Sequence, residues 1–93
     1  MRLKQHGAFL VNFVISFVDG EIDRREFDLD YSGYVIEHFP FFRTEHPRLS
    51  KRFADTIDLA YELGERLSDE ALRDSIEDAL DEFMGNEPVA DIF

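Results

Sequence analysis

The chain is 93 residues long, 44% hydrophobic and rich in Phe, with no Cys and a formal charge of −11. That length sets a single domain with one core, and so many aromatic and aliphatic residues beside the charge exclude a disordered chain. Without Cys there is no disulfide framework, thiolate nucleophile or Cys-based zinc site, so a reducing cytoplasm is the default location.

Helix 1 is predicted from about Lys4 to Val18, because Phe9, Leu10, Phe13, Val14 and Phe17 recur at helical spacing on one face and Val11, Ile15 and Val18 widen it. Its apolar run, Phe9 to Val18, is broken by Asn12 and Ser16 and reaches only about half the ~20 residues of a membrane span. No small-residue cleavage site follows it, which argues against a secretory signal. Asp19-Gly20 is the expected stop.

Helix 2 opens on Asp23 as N-cap with Glu26 three residues on, and Ile22 and Phe27 are placed to pack across the cap as a hydrophobic staple. Phe27, Tyr31, Tyr34, Val35 and His38 continue the period until Phe39-Pro40, where the residue before proline is pushed out of the helical region. Gly33 weakens the middle. FPFFRTEH, Phe39 to His46, is then a connector, with Phe41 or Phe42 folding back onto the bundle.

Helix 3 starts at Pro47 and buries Leu49, Phe53, Ile57, Ala60 and Tyr61 until Gly64. Helix 4 starts at Ser68, with Leu67 and Leu72 as its staple, and buries Leu72, Ile76, Ala79, Leu80 and Phe83 before Gly85. Four amphipathic helices and no convincing strand predict an all-α fold, a small antiparallel four-helix bundle. Residues 1–85 form the single domain, and 86–93 a loosely ordered acidic and apolar tail.

Charge is distributed unevenly along this framework. Residues 1–54 hold eight acids and eight bases, whereas residues 55–93 hold thirteen acids against Arg66 and Arg73 alone. On helices these acids form a fixed face: Asp55, Asp58, Glu62 and Glu65 on helix 3, and Asp74, Glu77, Asp78, Asp81 and Glu82 on helix 4. A solubilising surface is the plain reading, but like charges on adjacent turns destabilise a helix, and a rigid anionic face attracts and orients a basic partner. Nucleic acid is disfavoured as a partner, since phosphate contacts demand clustered Lys/Arg and only Arg48, Lys51 and Arg52 lie together.

Signals for chemistry are weak. In DGEIDRREF, residues Gly20, Ile22 and Glu26 match the second half of a calcium loop, but Ile15 and Phe17 stand where oxygen ligands are required, so a capping box is the better reading. His6, His38 and His46, near Glu37 and Glu45, have no metal-ligand spacing, and no nucleophile elbow, phosphate loop or zinc-protease sequence occurs. The expectation is a non-enzyme with no cofactor and no metal.

Three stretches, FVDGEIDRREFDLDY (Phe17 to Tyr31), RFADTIDLAY (Arg52 to Tyr61) and LSDEALRDSIEDALDEF (Leu67 to Phe83), together resemble the colicin D type immunity proteins, small bacterial bundles that protect a cell against its own tRNA-cleaving toxin. The FPFFRTEHP connector departs from that pattern. The resemblance implies a helical bundle that blocks a basic nuclease toxin domain by presenting acids where RNA phosphates would lie. Asp55, Asp58, Glu62 and Glu65 are the expected partner contacts. The alternatives are an acidic adaptor that binds without inhibiting and a metal-binding stress-response bundle.

Overall fold

The apolar stripe of the first helix meets its neighbours along Gly7, Leu10, Val11, Val14 and Phe17, the buried residues of α1 (Gln5–Val18) in a computed structural model that describes residues 2–85 and 93. Phe9 and Phe13 lie at the edge of that stripe rather than at its centre. Beyond Val18 the chain closes a Schellman motif: Glu21 N–H donates to the Ser16 carbonyl (2.9 Å) and Gly20 N–H to that of Phe17 (3.1 Å). The motif needs a left-handed residue, and Gly20 supplies it at φ 81°. Ile15 and Phe17, which would have to be calcium ligands, are packed within α1.

The Asp23 carboxylate accepts from Glu26 N–H (2.9 Å) and starts α2 (Arg24–Glu45), with Phe27 buried and Ile22 packed beside it. Contrary to the sequence expectation, α2 does not stop at Phe39-Pro40. It runs through Pro40 to Glu45, so the predicted connector is helix. The proline removes a hydrogen bond to the Ile36 carbonyl, but Ile36 is 77% exposed and that side of the helix faces water. On the opposite side Phe42 is fully buried against Phe53, with ring centroids 6.0 Å apart. A helix-interior proline costs about 3 kcal/mol. Full burial of one Phe contributes about 1.5–3 kcal/mol, and partial burial of Phe39 adds to it.

His46 caps the next helix through Nδ1, which accepts from Leu49 N–H (3.3 Å), and Pro47 takes the first position. The predicted third helix is one rod in three segments: α3 (Pro47–Phe53), a π-helical turn (Ala54–Asp58) and α4 (Leu59–Leu63), with helical backbone angles at both junctions. The π turn was not expected. Within it the Thr56 hydroxyl donates to the Arg52 carbonyl (2.6 Å), the acceptor that Thr56 N–H would use in an uninterrupted α-helix.

Ser68 Oγ accepts from Ala71 N–H (3.2 Å) and opens α5 (Asp69–Met84), which ends at Gly85 with φ 62°. The described residues are thus all-helical, with four rods around one core. α1 packs on α2 and α5, and the π turn and α4 pack on α5. Of the residues expected to be buried together, Phe17, Phe27, Phe53, Ile57, Leu72, Ile76 and Phe83 are buried, while Phe13 is partly so. The tail predicted to be loose lies outside the described residues except for Phe93, which packs against the core.

Candidate partner-binding face

Three arginines fix the elements that carry the acids, each by donating to main-chain carbonyls at or just beyond the C-terminus of a helix. Arg24 reaches from α2 to the carbonyls of Glu65 (2.9 Å) and Leu67, closing the α4–α5 connection. Arg52 donates to the Phe83 carbonyl in the last turn of α5 and lies over the Phe83 ring. Arg73 donates to the Phe17 carbonyl in the last turn of α1 (3.0 Å), with its guanidinium 4.7 Å from the Phe17 ring centroid. A cation suits these sites because the carbonyls at a helix C-terminus carry the negative end of the helix dipole. Helix propensity gives no hint of this. The only visible signal was that so few bases stand among so many acids.

With Arg24, Arg52 and Arg73 engaged in these contacts, the acids of α5 face outward. Asp74, Glu77, Asp78, Asp81 and Glu82 are exposed, and among the described residues none has an ion-pair partner. The four predicted contacts on the preceding rod do not make one patch. Glu62 and Glu65 are exposed and line an open cleft of about 530 Å³ with Arg24, Asp28 and Tyr61. Asp55 is exposed, paired with Lys51 (2.7 Å), and lies instead on a groove of about 290 Å³ shared with α5. Asp58, expected in solvent, is half-buried and accepts a hydrogen bond from the Tyr31 hydroxyl (2.8 Å). It belongs to the seam between α2 and the π turn.

That seam has its own electrostatics. Tyr31 and Tyr61 stack at 4.1 Å, and the Tyr61 hydroxyl donates to Asp28 (3.1 Å). Burial, followed by the adjacent Asp58 carboxylate, pushes the Tyr31 phenol far above its ordinary value. For Tyr61, burial and the hydrogen bond to Asp28 push the value up to about 12. Both phenols therefore act as neutral donors to carboxylates. Tyr61, expected in the core, has a half-buried ring and a hydroxyl at the surface.

The histidines are brought closer than their spacing suggested. His6 and His38 meet through Nδ1 atoms 2.8 Å apart, between the rings of Phe41 and Phe9. The nearby Glu45 carboxylate accepts from the N–H groups of His6 and Gly7 (3.1 Å each). It thereby caps α1, whose own Lys4 offers no side-chain cap. His46 is held at the start of α3. Among the described residues no grouping of three or more His, Asp or Glu could hold a metal ion.

Leu59 and Leu63 were missed by the sequence reading. They lie on the groove that α4 and the π turn share with α5, at 46% and 76% exposure. Assigning one core stripe to the rod left them without a role, although an i, i+4 leucine pair outside that stripe was the available signal. Among the described residues, no helix is long and apolar enough to cross a membrane. Comparisons with protein-family models, curated proteins and solved structures return no match to this chain.

Proposed function

We propose that the chain is a non-catalytic binding protein whose acidic α4–α5 side holds a basic protein partner, acting in the cytoplasm. One observation carries this reading: Asp74, Glu77, Asp78, Asp81 and Glu82 of α5 are exposed and unpaired among the described residues, while Arg24, Arg52 and Arg73 each donate to main-chain carbonyls. A solubilising surface needs no such segregation, whereas a fixed anionic face accelerates and orients encounter with a cationic one. The proposal takes the four rods as an antiparallel bundle, an arrangement favoured by short connections between successive helices.

The narrower form of the proposal is inhibition of a basic, tRNA-cleaving toxin, and it rests on the resemblance to colicin D type immunity proteins. The test is co-expression with a toxin encoded beside the gene. Wild type should protect the cells, and Glu62→Lys with Glu65→Lys should abolish protection with helicity unchanged, since both side chains are exposed. Undiminished protection by the double variant would reduce that part of the face to a solubilising surface. Tight binding to a basic protein with no inhibition would leave an adaptor.

A further inference from the structure

We infer that the groove between α4 and α5 is the docking site for a basic amphipathic helix of the partner, an inference that rests on the acidic-face reading and specifies what that face recognises. Leu59 and Leu63 form one wall of the groove, one helical turn or about 6 Å apart along the axis. Ala60 and Ala79 stand low between the walls, so an incoming side chain can approach the main chain. Asp55, Asp78 and Glu82 form the rim. Two exposed leucines in a solubilising face are a liability, but they are the expected centre of an interface with a charged rim.

Charge selects the occupant. A second copy of this chain would bring the same acids to the same rim, and phosphate-bearing surfaces, whether nucleic acid or anionic lipid, would be repelled. A cationic segment with no apolar side would satisfy the rim and leave the leucines in water. A helix with apolar residues at i, i+4 and i+7, flanked by Lys or Arg, satisfies both. It also matches the spacing of ridges on the helices that form the groove. From Asp55 to Leu63 the groove runs about 12 Å at 1.5 Å per residue, room for about two turns of such a helix.

The experiment titrates the full chain with two fluorescent synthetic peptides of about four turns and identical Leu and Lys content. One carries its leucines on a single helical face, and the other scatters them. The patterned peptide should bind about tenfold more tightly, with amide shifts centred on Leu59, Leu63 and Ala79. Leu63→Ser should remove most of that advantage without altering the affinity of the scattered peptide, and its exposure keeps the fold out of the result. Equal binding of both peptides, indifferent to Leu63→Ser, would overturn the groove and leave the acidic face standing. Binding of neither peptide at low salt would overturn the acidic face and the groove with it. Concentration-dependent dimers abolished by Leu63→Ser would assign the groove to a second copy instead.

Discussion

Helices α1 and α5 pack against each other yet differ sharply in composition. α1 contains no Asp, Glu, Lys or Arg, and its outer residues Phe9 and Phe13 are met by Tyr34, His38 and Phe27 of α2. α5 holds seven acids and one arginine in sixteen residues, and five of those acids, Asp74, Glu77, Asp78, Asp81 and Glu82, are exposed without an ion-pair partner among the described residues. One region uses its side chains on internal contacts. The other keeps them exposed at a cost in repulsion, which separates residues that make the fold from residues the fold does not use.

Three substitutions press on that contrast. The largest effect is expected for Phe42→Ala, which empties the site beneath Gly7, where an added Cβ would meet the Phe42 ring at 2.7 Å. Urea unfolding should show a loss of about 3–5 kcal/mol, while affinity for a basic peptide stays unchanged. A loss of binding as large as the loss of stability would dissolve the division between the two regions.

Tyr31→Phe removes the donor that the half-buried Asp58 accepts from, and should cost about 1.5–3 kcal/mol, the range for hydrogen bonds to charged groups. The pH dependence has a definite sign. Both Tyr31 and Tyr61 have folded values raised above the unfolded value of about 10, so their contribution is complete below that pH and is lost as pH rises through the folded values. For Tyr61 the window runs from about pH 10 to about 12. Stability curves should fall across that window in wild type and fall less in Tyr31→Phe, with tyrosinate absorbance lagging behind that of free tyrosine. Parallel curves would remove Tyr31 from the seam.

The smallest effect, and the most telling in sign, belongs to Asp78→Lys. Asp78 is exposed, with Asp74 and Glu82 one turn away on either side and Asp81 at i+3, so reversal turns repulsions into attractions and should stabilise by about 0.5 kcal/mol. Affinity for the patterned basic peptide should fall at the same time. A variant that is both more stable and a weaker binder shows the acids held against the interest of the fold, whereas a destabilised one would make them structural.

Much of the fold is legible because its signals are local. Asp23, Pro47 and Ser68 mark helix starts, Gly20 and Gly85 mark ends, and the periodic stripes identify the core. What escaped depends on distance. The passage of α2 through Pro40 is supported by Phe53 on another rod, and the start of α1 by Glu45 from the far end of α2. The acidic face was readable as a count of charges, but not its division: Asp58 is claimed by Tyr31, Asp55 faces α5, and Glu62 and Glu65 line the cleft beside Arg24. The π turn is the local cause of part of this, because an extra residue per turn shifts every later side chain around the rod.

The arginine contacts also bear on how long a folded molecule lasts. Arg24 to Glu65, Arg52 to Phe83 and Arg73 to Phe17 span sequence separations of 41, 31 and 56 residues. Contacts this remote form only after the rods have met, because the chain must first give up the entropy of the intervening loops. They are expected to close late in folding, and interactions absent from the transition state slow unfolding without hastening folding. Side chains that hold the acidic elements in place would thereby also set how long the folded molecule persists.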